Sequence, residues 1–313
     1  MCDSESECWN GRLDSYSERE LMAVMPCYAT CKNRKIGKRG KPKFEPFPPP
    51  FSERIDAWAW NGCTGMDVLE EDRIDYFFSG DQVLTYTLWH WERQDRRVKM
   101  PPMKISEHPI FKELPPPFNE KIDAISWNGG HFSARRDLIF SGDQVIEYTL
   151  WSKHPSSRVL NKPKRMSERR LFANLPPPFN QKIDAITSNG IIGATRIEWV
   201  FSGDQVVEFV MYSGKEKRMR EPPMNISAHP YFSELPPPFN QKVDAVAWNG
   251  ALGQLRIDYI FSGDQVLEYK LYEYALKKTL LQNGKRLQWP AVKLGAQPEP
   301  LVIKVEPMSM QRA

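Results

Sequence analysis

The chain has 313 residues, 41% of them hydrophobic, and a formal net charge of only +4, so it can bury a sizeable core and its charge does not mark it as a nucleic-acid binder. Aromatic residues make up 12%, with ten Trp, so that core is expected to be aromatic-rich. No apolar run approaches about eighteen residues, which leaves no expected membrane span.

Residues 1–44 stand apart from the rest of the chain. The start, MCDSESECWNGRLDSYSERE, lacks a basic head followed by an apolar run and does not read as a signal peptide. The expectation drawn from it is an intracellular chain. Of the five cysteines, Cys2, Cys8, Cys27 and Cys31 fall here, and Cys63 lies beyond. An odd count argues against a fully paired disulfide framework, and the Cys27–Cys31 spacing is a weak zinc signal. The run KNRKIGKRGKPK places Lys32, Arg34, Lys35, Lys38, Arg39, Lys41 and Lys43 together. Such a run reads either as a site for heparin-like polyanions, nucleic acid or an import receptor, or as a solvated linker.

From residue 45 to 290 the chain repeats itself. RIDAWAWNG, KIDAISWNG, KIDAITSNG and KVDAVAWNG begin at Arg54, Lys121, Lys182 and Lys242, about sixty residues apart. Each is preceded by a proline run, FPPPF once and LPPPFN three times, and followed by FFSGDQVLTY, IFSGDQVIEY, VFSGDQVVEF or IFSGDQVLEY. The proline run is expected to be a stiff extended connector. The first block reads as a short strand ending at Asn-Gly, and the second as a hairpin about Ser-Gly-Asp. A basic stretch then leads to PPMKISEHPIF or PPMNISAHPYF, which can hold a fourth strand, with Ser106 and Ser227 capping a short helix. Four strands in each of four units predict an all-β, four-bladed β-propeller, since stacked radial blades bury both faces of every sheet. Two sandwich domains of two repeats each are the alternative. The remainder, 291–313, reads as a disordered tail.

This pattern resembles the hemopexin-like repeat. The resemblance rests on Ile55-Asp56-Ala57, on Tyr76-Phe77-Phe78-Ser79-Gly80-Asp81-Gln82-Val83 and on Ile105-Ser106-Glu107, with counterparts in the other copies. The chain departs from the family where Ser79, Ser141, Ser202 and Ser262 replace a frequent Lys, and where Leu84, Ile146, Val207 and Leu267 replace a usual Trp. The fourth copy ends without a cysteine, so the family's disulfide between first and last blades cannot form, and ring closure is left to packing and strand pairing. The resemblance points to an extracellular protein, against the reading of the N-terminus, and leaves the compartment open. The sequon Asn225-Ile226-Ser227 matters only in the secreted case.

The Asp-Ala pairs open the first strand of each blade, which lines the propeller axis. Four backbones crowd that axis, which requires Ala57, Ala124, Ala185 and Ala245 to be small. Four carbonyls at one level suit a hard cation. The resemblance implies a structural ion, calcium by ligand type, on the backbone carbonyls of Asp56, Asp123, Asp184 and Asp244. The Asp side chains can also simply pair with Arg54, Lys121, Lys182 and Lys242. Further basic residues (Arg93, Arg96, Arg97, Lys99, Lys162, Lys164, Arg165, Lys215, Lys217, Arg218 and Arg220) fall near the outer rim, either as a patch for acidic partners or as a solvated edge. His108 and His229, equivalent in the first and third copies, are read as rim residues too far apart to share a metal. Family members that carry haem tightly use two propellers and their linker, so haem is not favoured. No H-E-x-x-H, Gly-rich phosphate loop or G-x-S-x-G is present. The sequence therefore predicts a non-enzymatic binding module for a protein or acidic polysaccharide. A small-ligand carrier (haem, polyamine or metal) and a detached accessory domain of a metalloproteinase are the alternatives.

Overall fold

The computed structural model describes residues 46–61, 73–87, 97–127, 135–150, 158–169, 172–189, 196–212, 215–248, 257–271 and 287–294. The basic run at 32–43 and all five cysteines lie outside them. The first copy contributes β1 (Ala57–Trp60), β2 (Asp75–Ser79), β3 (Gln82–Thr87) and β4 (Arg97–Lys104). The second contributes β5 (Ala124–Trp127), β6 (Asp137–Ser141), β7 (Gln144–Tyr148) and β8 (Lys164–Arg165). The third contributes β9 (Ala185–Ser188), β10 (Arg196–Ser202), β11 (Gln205–Tyr212) and β12 (Lys215–Asn225). The fourth contributes β13 (Ala245–Trp248), β14 (Asp258–Ser262), β15 (Gln265–Tyr269) and β16 (Leu287–Lys293), so its blade continues past residue 290.

Each copy is one four-stranded antiparallel sheet, with its strands side by side in sequence order. β1 touches β5 and β13, and β9 touches the same two, so the inner strands close a ring. That ring is a four-bladed propeller and excludes a pair of separate sandwiches. β2, β6 and β14 are buried at every residue, as a sheet stacked between two others requires. Four apolar cores result, one at each blade junction. Phe78, Phe111 and Ile139 meet at the first junction; Phe140, Phe172 and Val200 meet at the second. Phe201, Phe232 and Ile260 fill the third.

The last junction brings the ends of the ring together. Phe47, Phe51 and Ile55, which precede the first blade, pack with Phe261 and Leu294 of the last. Phe77 bridges the seam, with ring centroids 5.0 Å from Phe47 and 5.8 Å from Phe261. Among the described residues every sheet is completed within its own repeat and no strand is exchanged, so apolar packing brings the seam together.

The proline runs differ from the extended connector expected of them. They coil into turns: the Phe118 amide donates to the Pro115 carbonyl at 3.0 Å, and the Lys121 amide to the Pro117 carbonyl at 3.0 Å. Proline lacks a donor but keeps its acceptor, and its fixed φ suits a turn as well as an extended chain. The turns swing Phe51, Phe118, Phe179 and Phe239 inward to complete burial. Burying a phenyl group stabilises by roughly 1.5–3 kcal/mol.

The Ser-Gly-Asp hairpins form as expected. Gly80, Gly142, Gly203 and Gly263 have φ of 55–60°, a backbone that a Cβ disfavours. The Asp81 carbonyl of the first turn accepts the Ile105 amide at 2.8 Å, and Asp204 accepts Ile226 in the same way. These bonds start single 3₁₀ turns at Ile105–Glu107 and Ile226–Ala228. Ser106 and Ser227 lie inside the turns and do not cap them; the cap positions, Lys104 and Asn225, make no side-chain cap bond. A single 3₁₀ turn leaves few orphan amides, and the hairpin carbonyl already takes its first.

Candidate functional site

The inner strands present one chemistry at their start and another at their end, about 13 Å apart for four residues of strand. At the start, each Asp grips its own blade. Asp56 Oδ2 accepts the Gly80 amide at 2.8 Å; Asp123 accepts Gly142 at 2.7 Å; Asp184 accepts Gly203 at 2.8 Å; Asp244 accepts Gly263 at 2.7 Å. The hairpin glycine thus offers its amide to a carboxylate from the first strand, which locks the two sequence blocks together.

The other carboxylate oxygen meets a cation. Asp56 pairs with Arg54 at 2.6 Å, Asp123 with Lys121 at 3.1 Å, Asp184 with Lys182 at 2.6 Å and Asp244 with Lys242 at 2.7 Å. The pairing read from the sequence is therefore present in all four copies. Two cations also cross to a neighbouring blade: Arg54 to Asp244 at 3.4 Å and Lys182 to Asp123 at 3.7 Å. Burial works to lower the Lys182 ammonium, but the hydrogen bond and charge of Asp184, with the charge of Asp123, raise it above the ordinary lysine value. The Asp side chains are buried, while the four cationic side chains are 38–45% exposed and ring the axis. Among the described residues, no three His, Cys, Asp or Glu side chains are grouped to hold a metal. An ion at this level would use the backbone carbonyls of Asp56, Asp123, Asp184 and Asp244.

The far end of the inner strands is aromatic, and sequence reasoning passed over it. Trp60 lies edge-to-face against Trp127 at 5.7 Å and against Trp248 at 5.4 Å. In the first three blades a buried guanidinium at or just before the start of the second strand stands over the indoles. Arg73 lies 4.7 Å from the Trp248 ring centre, Arg135 4.8 Å from Trp60, and Arg196 4.8 Å from Trp127. Each Arg also donates to the main-chain carbonyl of the preceding blade's Trp, at 2.9, 2.9 and 3.1 Å. Each is paired with a carboxylate two residues on: Asp75, Asp137 or Glu198. Complete burial pushes the Asp137 carboxyl up, opposed by the charge and hydrogen bonds of Arg135 and by the Leu150 amide. The available signal was the recurrence of Trp at the last position of three first strands, with Arg two residues before the acidic residue of the second.

His108 and His229 are not rim residues. They are 2% and 1% exposed, because the segment after each 3₁₀ turn folds back over its own sheet. His108 Nε2 lies 3.0 Å from Thr85 Oγ1, and His229 Nε2 lies 3.2 Å from Glu208 Oε1. Burial, then the charge of Arg158, pushes the His108 imidazole down to about 4. Burial alone would raise Glu208. The hydrogen bonds of His229 and Trp199 and the charge of Arg220 outweigh it and hold this carboxyl below the ordinary glutamate value. On the rim, Lys162, Lys164, Arg165 and Arg220 are exposed. Arg93 and Arg96 lie outside the described residues, as do the side chains of Arg97, Lys215, Lys217 and Arg218.

No family model and no curated protein matches the chain. Solved structures do. The hemopexin fold protein CP4 from cow pea matches with a TM-score of 0.54 and 17% identity, over 77% of this chain and 94% of that one. LS24, a seed albumin from Lathyrus sativus, matches with a TM-score of 0.53 and 18% identity, over 76% and 92%. A plant lectin with two metal binding sites from Cicer arietinum matches with a TM-score of 0.50 and 14% identity, over 74% and 92%. The chain is a hemopexin-like propeller in fold.

Proposed function

We propose that the chain is a non-catalytic binding module that presents its propeller faces to a protein or acidic polysaccharide, with a structural calcium ion on the tunnel carbonyls of Asp56, Asp123, Asp184 and Asp244. One observation carries the reading. All four Asp carboxylates are engaged by a glycine amide and by a cation, so they hold backbone in place and are not poised for proton transfer. The cations that neutralise them are half-exposed around the axis, where an anionic partner can reach them. The sequence adds the run from Lys32 to Lys43 as a second cationic element. The Cicer arietinum lectin, by its description, has two metal binding sites, which accords with an ion in this fold.

Heparin retention tests the polyanion half of the proposal. The full chain is expected to bind and to elute with moderate salt, because charge-driven association is screened. Replacing Lys35, Lys38, Arg39 and Lys41 together by Ala is expected to move elution to lower salt. Unchanged elution would make the run a solvated linker and leave polyanion binding to the ring alone.

A further inference from the structure

We infer that Asn225 is the acceptor of an N-linked glycan when the chain passes through a secretory lumen. The site lies on the outermost strand of the third blade, and the inference is independent of the polyanion and tunnel-ion readings.

Strand register shows what this position does in the other blades. The residue opposite the hairpin glutamine is Lys104 in the first blade, Arg165 in the second, Asn225 in the third and Lys293 in the fourth. In two of them the cation reaches the acidic residue of its own turn, Arg165 to Asp143 at 3.7 Å and Lys293 to Asp264 at 3.2 Å. Asn225 has no charge to offer Asp204, and its side chain makes no cap bond to the 3₁₀ turn that follows. The serine two residues on belongs to the repeat itself, since Ser106, Ser167 and Ser227 hold the same place in three copies. Exchange of one cation for asparagine thus creates the acceptor triplet, and 225–227 is the only place in the sequence where Asn-x-Ser or Asn-x-Thr occurs.

The local geometry suits the modification. Asn225 and Ser227 are exposed, while Ile226 between them is fully buried. The Ile226 amide donates to the Asp204 carbonyl at 2.8 Å, so the buried residue anchors the triplet and its two polar members face solvent. Asn225 is the last residue of β12, in extended backbone with φ −63° and ψ 141°. A bulky sugar at such a surface position displaces no core side chain. The co-reactant is a lipid-diphosphate-linked oligosaccharide. A bond forms from Asn225 Nδ2 to its anomeric carbon, and the anomeric C–O bond breaks. The lipid diphosphate leaves with the electron pair, and Nδ2 gives up one proton to a base of the transferase.

The test produces the full chain behind a cleavable secretion leader in cultured animal cells. Material from lumen and medium is taken together, so that a variant that fails to fold is still read, and its mass is measured before and after peptide N-glycosidase. One glycan per chain is expected, and peptide mapping is expected to place it at Asn225. Asn225→Gln and Ser227→Ala are each expected to reduce it to none, the second although the asparagine remains. Asn225→Lys, which restores the residue type of the other blades, is expected to do the same. Unmodified Asn225 in the unaltered chain, or an equal glycan on Ser227→Ala, would overturn the inference.

Discussion

In the first blade the buried His108 faces a hydroxyl, Thr85 Oγ1 at 3.0 Å; in the third the equivalent His229 faces a carboxylate, Glu208 Oε1 at 3.2 Å. The rest of the arrangement is shared. Nδ1 accepts a main-chain amide in both, from Ile110 at 3.1 Å and from Tyr231 at 3.2 Å, which places the proton on Nε2 in each. The phenyl groups of Phe111 and Phe232 lie at 5.1 and 5.0 Å from the imidazoles. One substitution between repeats, Thr for Glu, thus turns a hydrogen-bonded core histidine into part of a buried charged network. Trp199 Nε1 donates to the same Glu208 oxygen at 3.0 Å, and Arg220 reaches the other oxygen at 3.5 Å. Repeats of nearly equal sequence can therefore differ most in electrostatics, because a buried carboxylate recruits every donor around it.

The largest expected effect comes from removing that carboxylate. Glu208→Ala leaves the Trp199 and His229 donors without their acceptor in a buried setting and is expected to cost about 3–5 kcal/mol in urea unfolding. Thr85→Val in the first blade removes one neutral bond and is expected to cost about 1–3 kcal/mol. Equal losses in the two blades would break the comparison.

Acidification sharpens it. The His108 imidazole is at about 4 in the folded chain and 6.5 ordinarily. As pH falls, the unfolded chain takes up this proton first, so the stability His108 contributes is complete above about 6.5 and is lost as pH falls toward 4. Each tenfold loss of proton affinity on folding corresponds to about 1.4 kcal/mol, which makes the total a few kcal/mol. The Glu208 carboxyl is held below its ordinary value, so its contribution is present above that value and is lost as pH falls further, through the folded one. The first blade should therefore loosen before the third, visible as faster amide exchange in β2 and β3 than in β10 and β11 between pH 6.5 and 4.5. His108→Gln is expected to flatten the stability of the chain across that window; an unchanged slope would assign the effect to other groups.

The ring itself was legible in the sequence, and the reason lies in particular residues. The glycine of each Ser-Gly-Asp turn is demanded by its left-handed φ, and each Asp of the Asp-Ala pairs by that glycine's amide, so both recur in every copy. The cationic partners of the Asp residues were legible for the same reason. Depth was not. Spacing assigned His108 and His229 a place within the repeat but not their distance from the sheet, and both proved buried. Proline composition is compatible with extended chain and with turn alike, and only the bonds from Phe118 and Lys121 decide for the turn. The aromatic end of the tunnel carried no signal in any one repeat, because it depends on the ring bringing the ends of separate strands together, where Trp60 meets Trp127 and Trp248.

The measurement that bears most directly on the proposed module is the melting temperature of the full chain in calcium and in chelator. A ligand that binds only the folded ring stabilises it by about 2.7 kcal/mol at a hundredfold excess over its dissociation constant. The seam between first and last blades is closed by apolar packing together with the contacts of Arg54 to Asp244 and of Arg73 to Trp248, all noncovalent, so that increment should be visible. Calcium is expected to raise the melting temperature by several degrees and chelator to reverse it. Asp184→Asn removes the charge paired with Lys182 and lowers stability, yet should keep most of the calcium increment, since the ligand is a main-chain carbonyl. Ala185→Leu, which forces bulk beside that carbonyl, should lose the increment. Identical melting curves in calcium and in chelator, with only water on the axis of a high-resolution map, would contradict the ion and reduce the proposal to the binding surfaces.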